Sequence, residues 1–521
     1  MREICAAILG RPAAKVKMHR SFVAQGGDSL LAIKLMARCR DAGYDVAIHD
    51  ILQAKSITEL HRCLAPSSVA VDKLEESNSH TTPPPESAIS DYVLAQLRTI
   101  TTDSQPGVDA VFPCSPIQKV FLTAHGIHPE LYQCTAIIDI FAEPGCILNH
   151  SRLTAAWNTV VRRHPSLRTV FVESEDRPAD FDQAVLKEVA SLRELDDVDE
   201  MTAEDVASRK LIPFNPGAPL KATLLNRGEQ SARLRVDLSH ALVDGESLPV
   251  ILHDLSTAYA GRDQEAPAIF YSDYVSYQTQ FPRDDPIAYW SRYLHGAQPS
   301  VFPPSNDQAS RADLQTVRFR LDLGSGSLQD YCGKHNVTAA NICQVAWALV
   351  LRSYTGSQDV CFSYVSSGRQ APLEGIESAV GAFVDTMVCR VDVSNEKSLG
   401  GTLAKVRQDF AEGLLHPCVL AMSHENGGEL SRLRGNTIMS CLGKLPGCGG
   451  AAPGSGLSFE LVDAVNPSEV SPLPPDNGFP SMGHTSYGTW ILMMTTSMIS
   501  PLTSEYQRTR SRSDWTSGSL V

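Results

Sequence analysis

The sequence predicts an α+β protein in which a small helical domain precedes a larger αβ domain of two lobes. Apolar residues recur at helical spacing in residues 1–66, and strand-like alternations interleave with helix-like stretches from about residue 111 to about residue 465. A polar, proline-rich stretch separates these two regions. The chain has 521 residues, of which 43% are hydrophobic, so it can build two to four domains with real cores.

Residues 1–66 carry the pattern of a small helical bundle. One helix is predicted before Gly10, a second between Ser29 and Gly43, and a third after Ser56. The second helix has apolar residues at helical spacing, namely Leu30, Leu31, Ile33, Leu35 and Met36. A bundle of short helices is therefore expected at the start of the chain.

The rest of the chain divides by composition. Residues 67–110 are polar, rich in proline and without periodicity, so they are predicted to form a mobile linker. A proline-containing run at 299–306 is predicted to separate a first lobe, residues 111–298, from a second lobe, residues 299–470. Residues 471–521 carry turn formers and hydroxyl residues without a sustained period, which predicts an irregular or disordered tail.

Charge and composition argue against several classes of function. The formal net charge of −14 disfavours nucleic acid or an anionic membrane as the partner. The 13 cysteines are scattered singly and no apolar run is long enough to span a bilayer, so a cytoplasmic protein is expected. His125 and His128 stand three residues apart without a third ligand nearby in the sequence, so no metal site is expected.

A serine at a helix start is the strongest feature of the helical domain. In the segment GGDSL, two glycines free the backbone and place Asp28 and Ser29 at the start of the second helix. A helix N-terminus favours an attached phosphate through its free N–H groups and its dipole. The alternative is that Ser29 only caps the helix, a common role of serine.

A histidine between a strand and a helix is the strongest feature of the larger domain. Alternating apolar residues predict a strand up to Ser239, and an apolar helical pattern begins again at Leu248. His240 and Asp244 therefore lie on a strand-to-helix loop, where rigid folds commonly display catalytic groups. Histidine suits acyl transfer because its pKa near neutrality lets it take a proton from an amine. The alternative is a structural histidine at a strand edge.

The helical domain resembles a phosphopantetheine-dependent peptidyl carrier domain, a small four-helix bundle. The resemblance rests on FVAQGGDSLLAIKL at Phe22 to Leu35 and on the DILQAKSITEL segment that follows. It implies that Ser29 receives a 4′-phosphopantetheine arm, which carries the acyl group as a thioester. It also implies that Asp28 helps to present Ser29 to a phosphopantetheinyl transferase.

The larger domain resembles the condensation domains of nonribosomal peptide synthetases. SHALVDG, at Ser239 to Gly245, is similar to the family signature HHxxxDG, and FPCSPIQKVFL and RRHPSLRTVF are similar to its first two motifs. The resemblance implies a chloramphenicol-acetyltransferase-like fold with two lobes in a V around a tunnel. It implies that His240 lies beside the reacting thioester and amine, that Asp244 supports the loop as an ion-paired residue, and that Gly245 lets the backbone turn.

Three positions depart from the condensation-domain pattern. Ser239 stands where the first histidine of the signature is usual, and Asp385 stands where an asparagine is usual. After Val470 the closing strand and helix of the family are not recognisable, so the second lobe is expected to be incomplete. The pattern SHALVDGES resembles the SHxxxDxxS/T variant of terminal fungal domains, which release a peptide by macrocyclisation.

The two resemblances together imply nonribosomal peptide synthesis. An acyltransferase or ligase of the condensation type would form an amide from a peptidyl or aminoacyl thioester held on Ser29. No adenylation motif is recognisable, so upstream adenylation and other synthetase modules are expected as partners. Two alternatives stay open, an internal condensation domain that elongates the chain and a degenerate fragment that docks a carrier without turnover.

Overall fold

The structure is a computed structural model, and it places part of the chain well enough to describe. The described residues are 1–66, 89–101, 107–127, 132–177, 180–188, 192–195, 220–262, 269–280, 284–302, 327–371, 373–394, 398–416, 437–442, 451–452, 454–465 and 491–496. None of the helices in these ranges is both long enough and apolar enough to cross a membrane.

The N-terminal domain is a bundle of four helices, as predicted. The helices are α1 (Arg2–Ile8), α2 (Ser29–Asp41), α3 (Ile48–Gln53) and α4 (Ile57–Cys63), and two short paired strands are β1 (Tyr44–Asp45) and β2 (Ala65–Pro66). Fully buried side chains from all parts of the bundle form its centre, among them Phe22, Leu35, Ile51, Ile57 and Leu60. Burial of these apolar groups supplies the main driving force for so small a domain.

The first lobe contains a three-stranded sheet in the order β3-β6-β5 and a five-stranded sheet in the order β13-β4-β9-β8-β7, in which β13 (Leu457–Val465) comes from late in the chain. The strands in chain order are β3 (Val108–Pro113), β4 (Gln133–Ala142), β5 (Thr169–Glu173), β6 (Phe181–Leu186), β7 (Leu192–Leu195), β8 (Leu220–Asn226) and β9 (Ser231–Ser239). The helices are α5 (Asp91–Thr101), α6 (Pro116–Ile127), α7 (His150–Arg163) and α8 (Ser247–Tyr259). Helices α7 and α8 pack together, and Trp157 and Leu255 are buried in the core beneath the larger sheet.

The second lobe is built on a four-stranded sheet in the order β11-β10-β12-β14. Its strands are β10 (Asp359–Ser367), β11 (Val384–Asp392), β12 (Thr437–Leu442) and β14 (Ile491–Thr496), whereas β13 (Leu457–Val465) joins the other lobe. The helices after α8 are α9 (Tyr271–Gln280), α10 (Asp284–Tyr293), α11 (Ser327–His335), α12 (Ala339–Thr355) and α13 (Leu399–Gly413). Helices α12 and α13 contact each other and the sheet.

The observed boundaries differ from the predicted ones in two internal places. Helix α5 forms within the stretch predicted as a linker, and it packs on β5 because Val93 and Leu97 bury an apolar face there. Strand β13 lies in the range predicted for the second lobe but pairs antiparallel with β4 of the first, so the chain crosses back between the lobes. Neither the packing of α5 on β5 nor the pairing of β13 with β4 can be read from local composition.

The tail prediction is wrong for one short segment. Strand β14 pairs antiparallel with β12 along its whole length and so adds an edge strand to the second sheet. The rest of residues 471–521 lies outside the described residues, as do 67–88 of the predicted linker.

The helical domain packs directly on the second lobe. Its buried residues belong to one hydrophobic cluster with buried residues of the second lobe, which include Phe362, Met387 and Leu403. One close approach is at α11, where a Cβ atom on Gly333 would lie 2.9 Å from the carbonyl oxygen of Ala24. Beside it, the Ser21 hydroxyl is hydrogen-bonded to the side-chain oxygen of Asn336, which has a left-handed φ of 54°.

Candidate active site

His240 follows the last residue of β9 and is held from three sides. Its backbone N–H donates to the Tyr132 carbonyl oxygen at 2.8 Å, and its ring lies 5.8 Å from the Phe121 ring between centroids. The ring Nδ1 is 3.2 Å from the Val243 carbonyl oxygen. Because a carbonyl oxygen only accepts, Nδ1 carries the proton, and Nε2 of the neutral ring holds a lone pair.

The environment of His240 favours the neutral imidazole. Burial lowers the pKa of His240, which the hydrogen bond to Val243 and the charge of Asp244 offset only in part. A neutral ring with a fixed Nδ1–H can accept a proton at Nε2 near neutral pH. The predicted strand-to-helix placement of His240 agrees with the observed elements β9 and α8.

Asp244 lies in a buried ion pair between the lobes. Arg369, in the loop after β10, donates from Nε to Oδ2 at 2.9 Å and from Nη2 to Oδ1 at 2.7 Å, so the pair is bidentate. Both side chains are 3% exposed. The Arg369 Nη1 also donates to the carbonyl oxygens of Ile376 and Ala379, so the guanidinium ties the His240 loop to the second lobe.

Ser247 and Gly245 complete the loop. The Ser247 hydroxyl donates to Asp244 Oδ1 at 2.7 Å, and its oxygen accepts from the Gly381 N–H of the second lobe at 3.3 Å. The Ser247 N–H donates to the Asp244 carbonyl oxygen at 3.2 Å, which closes a turn around exposed Gly245. Ser239 is buried, and its hydroxyl accepts from the Ala241 N–H at 3.1 Å.

In the helical domain, Asp28 rather than Ser29 caps α2. Asp28 Oδ1 accepts from the Leu31 N–H at 2.8 Å, and Ser29 is the first helical residue. The capping alternative for Ser29 is therefore wrong, and its half-buried hydroxyl has no hydrogen bond within the described ranges. Gly27 is required before the cap, because a Cβ there would lie 2.3 Å from the Phe22 ring.

The face of α2 that carries Ser29 also carries the contact with the larger domain. Met36 and Arg40 follow Ser29 by seven and eleven residues, which places all three on one side of a helix. Met36 and Arg40 line a cavity of about 230 Å³ whose other walls include Tyr274 and Gly368. Arg40 Nη1 also lies 3.4 Å from the Leu373 carbonyl oxygen.

Charged groups at the start of α2 and within it act on the His240 loop. Burial raises the pKa of Glu246, two residues beyond Asp244, and the charge of Lys34 on α2 lowers it. The charge of Asp28 acts on the same carboxyl group. Helix α2 also contacts the turn at Ile376–Ser378, which holds one of the carbonyl groups bound by Arg369.

Family comparisons agree with this division into two domains. A family model described as "Condensation domain" matches residues 108–418, more than half of the chain. The chain belongs to the condensation domain family. A second model, described as "Phosphopantetheine attachment site", matches residues 1–64. We refer to residues 1–66 as the carrier domain and to the two lobes as the condensation domain.

Relatives that match most of this chain are nonribosomal peptide synthetases. The chain is 44% identical over 480 residues to nonribosomal peptide synthetase cm3A of Cordyceps militaris, and the match covers 90% of this chain and 10% of that protein. It is 42% identical over 386 residues to nonribosomal peptide synthetase easA of Emericella nidulans, with 74% and 5% covered. The chain therefore spans a tenth or less of these relatives.

Solved condensation domains share the fold. The first condensation domain of the CDA synthetase has a TM-score of 0.51 at 18% identity, over 68% of this chain and 86% of that one. The condensation domain of the monacolin K polyketide synthase MokA has a TM-score of 0.51 at 16% identity, over 70% and 87%. The prediction of a two-lobed, acetyltransferase-like αβ fold is confirmed.

The predicted cofactor is confirmed as 4′-phosphopantetheine, and the carrier domain fits it. The Ser29 hydroxyl is not used as a cap, and it lies at the N-terminus of a helix of 13 residues, where a phosphate is favoured. When attached, the arm supplies a thiol that holds an acyl group as a thioester. No cluster that could hold a metal ion occurs within the described part of the chain.

Sequence reasoning missed two residues of the site. Arg369 was not predicted as the partner of Asp244, and Ser247 was not predicted to join the lobes. The segment SSGRQ, which carries Arg369, stands 125 residues from Asp244, so only the fold reveals the pair. The departure at Asp385 is a buried residue on β11 whose carboxylate accepts from the Thr386 N–H at 2.8 Å.

Proposed function

We propose that this chain forms an amide by transfer of an acyl group from a thioester on the carrier domain to an amine. The observation that carries the proposal is His240, whose Nδ1–H is held by Val243 so that Nε2 can accept a proton. The amine nitrogen attacks the thioester carbonyl carbon, the C–N bond forms and the C–S bond breaks. The proton of the amine passes to His240 Nε2, and the departing sulfur takes up a proton.

The roles of the other site residues follow from their contacts. Ser29 is the attachment residue, and Asp28 caps α2 so that the Ser29 hydroxyl stays available to a phosphopantetheinyl transferase. Asp244 and Arg369 hold the loop between the lobes, and Ser239 holds its first turn. Upstream adenylation and other synthetase modules supply the peptidyl thioester. Free cysteines throughout the described residues fit a cytoplasmic site of action.

We further propose that the amine belongs to the peptide carried on Ser29, so that the product is cyclic. Ser239 and Ser247 complete the SHxxxDxxS pattern, and both hydroxyl groups hold the His240 loop by hydrogen bonds. An internal elongating domain is the second candidate, and it predicts a product only when a second aminoacyl carrier is added. A degenerate fragment is the third candidate, and it predicts no product whether or not a second aminoacyl carrier is added.

The attachment of the arm gives the first test. Incubation with a phosphopantetheinyl transferase and coenzyme A is expected to add one arm to the protein. The reason is that the half-buried Ser29 hydroxyl lies at the start of α2 and is not used as the helix cap. Intact mass spectrometry measures the addition. Ser29→Ala should take up no arm, whereas Ser56→Ala, which alters the cap of α4, should load as the unaltered protein does. Equal labelling of Ser29→Ala would refute the assignment.

The reaction is tested with a peptidyl-pantetheine arm loaded on Ser29. We expect a cyclic peptide, detected by mass spectrometry as a product lighter by one water than the hydrolysed linear peptide. A product that needs a separate aminoacyl carrier would leave the family unchanged and indicate elongation. Absence of both products with an intact loaded thioester would contradict amide formation by this chain.

The close approach at Gly333 gives a test of carrier docking. Gly333→Ala is expected to slow transfer from the Ser29 thioester about tenfold, because its Cβ would press on the Ala24 carbonyl oxygen and shift the carrier. Arm loading should not change. Gly400→Ala is the matched control, since a Cβ on Gly400 of α13 meets no atom within 4 Å. Equal rates for the two variants would show that this contact does not position the carrier.

A further inference from the structure

Two buried glutamines form a closed amide pair beside the His240 loop. Gln118 of α6 and Gln183 of β6 are 2% and 1% exposed. Gln118 Nε2 donates to Gln183 Oε1 at 3.1 Å, and Gln183 Nε2 donates back to Gln118 Oε1 at 3.0 Å. The second donor of Gln183 binds the Pro113 carbonyl oxygen at 3.0 Å. Gln183 is therefore anchored to the strand that precedes α6.

Gln118 has a further contact that reaches the loop itself. Its second N–H donates to the Ala241 carbonyl oxygen at 2.9 Å, and its Oε1 also accepts from the Ser115 N–H at 2.9 Å. Both donors and both acceptor positions of the side-chain amide are thus used. A flipped amide would face the Ala241 carbonyl with an oxygen and the Ser115 N–H with a nitrogen, so the network fixes its orientation.

A purely structural role for Gln118 explains only part of these contacts. Ser115 and Gln118 form a capping box at the start of α6, since the Gln118 N–H donates to the Ser115 hydroxyl at 3.3 Å. A capping box uses only the oxygen of residue 118. The amide N–H that binds Ala241 contributes nothing to the cap, and Ala241 is the residue directly after His240.

Helix α6 therefore holds the histidine at two points one turn apart. Gln118 binds the carbonyl of the next residue, and Phe121 packs against the His240 ring. Phe121 also packs against Tyr132, whose carbonyl oxygen accepts from the His240 N–H. The bond from His240 Nδ1 to Val243 spans the same short loop, so its geometry depends on where the Ala241 carbonyl is fixed.

We infer that Gln118 is a positioning residue for the acyl transfer, acting through the Ala241 carbonyl to set the ring orientation and tautomer of His240. The effect of Gln118 on turnover rests on the proposed function. Its effect on the orientation and tautomer of the His240 ring can be observed without turnover. Its role is geometric, because the buried Gln118 amide uses its donors and acceptors within the protein.

Gln118→Glu separates positioning from capping. Glutamate keeps the acceptor oxygen that the capping box needs, and it loses the N–H that binds Ala241. The rate of product formation from the loaded Ser29 thioester at pH 8 is expected to fall about 10- to 100-fold, with loading of the arm on Ser29 unchanged. As the pH falls, the carboxyl group takes up a proton and can donate again, so the deficit relative to the unaltered protein should shrink. Gln118→Met, which lacks a donor at every pH, should show a constant deficit.

The control for a buried glutamine is Gln344→Glu. Gln344 of α12 is 1% exposed and accepts from the Asn341 side chain at 3.1 Å, and glutamate preserves that acceptor. This control should keep full turnover at each pH. Loading of Ser29 and the melting temperature report on folding of all three variants.

The tautomer of the His240 ring can be measured without any product being formed. In protein labelled with nitrogen-15 histidine, the His240 signals, assigned by comparison with His240→Gln, are expected to show a proton on Nδ1. Gln118→Met should shift these signals toward a mixture of tautomers. Turnover within twofold of the unaltered protein together with unchanged His240 signals would overturn the inference. Absence of product from the unaltered protein, with the signals shifted as expected, would instead count against the proposed function alone.

Discussion

Replacing His240 with alanine is expected to lower turnover about 10²- to 10⁴-fold, the usual contribution of a positioned general base. The ring Nδ1 is bound to Val243, so Nε2 is the atom that can take the proton of the attacking amine. Loading of the arm on Ser29 should be unaffected, because His240 lies in a different domain. The measurement is the rate of product formation from the loaded thioester, followed by mass spectrometry.

The control and the pH profile make this result specific. His253→Ala removes an exposed histidine from α8, 13 residues further along, and should leave the rate unchanged. Burial lowers the pKa of His240 below its ordinary value of 6.5, so the neutral base persists to lower pH. The acid limb of the rate should therefore lie below pH 6.5 and vanish in His240→Ala. A normal rate in that variant would remove His240 from the mechanism.

Local sequence patterns were sufficient for the features that a single segment determines. The start of α2 at Ser29 and the strand-to-helix loop after Ser239 follow from apolar periodicity and from short polar breaks. The position of His240 at that loop follows in the same way. The family resemblance added the expected roles of these residues and the acetyltransferase-like arrangement of the two lobes, which periodicity alone does not supply.

Features that join distant segments could not be predicted. The crossing of β13 to β4 and the pairing of β14 with β12 are decided by tertiary packing, to which strand formation is sensitive. The same holds for Arg369, a single arginine that follows a strand and shows no local sign of its carboxylate partner. The choice of Asp28 over Ser29 as the cap of α2 is a matter of one residue, below the precision of boundary prediction.

Breaking the buried ion pair between the lobes is expected to have the largest effect on stability. Asp244→Ala leaves the guanidinium of Arg369 buried without its carboxylate, and such a loss costs about 3–5 kcal/mol of unfolding free energy. The loop that carries His240 should then be less protected from hydrogen exchange, and turnover should fall as well. Urea unfolding and exchange at residues 240–247 measure the two effects. Arg38→Met, which removes an exposed ion pair with Asp41, is the control and should change stability by under about 1 kcal/mol.

A double replacement distinguishes a pair that joins the lobes from two independent buried groups. Arg369→Met alone leaves the Asp244 carboxylate buried without a partner, and Asp244→Asn alone leaves the Arg369 guanidinium so. Both changes together remove both charges and leave no uncompensated ion. The double variant should therefore lose less stability than the two single changes added together, because each single change includes the cost of the other group left unpaired. Turnover should remain low in the double variant, because methionine at position 369 cannot donate to the carbonyl oxygens of Ile376 and Ala379 as the guanidinium does. Additive losses of stability would show that Asp244 and Arg369 act separately, and full turnover in the double variant would show that the lobe junction does not position His240.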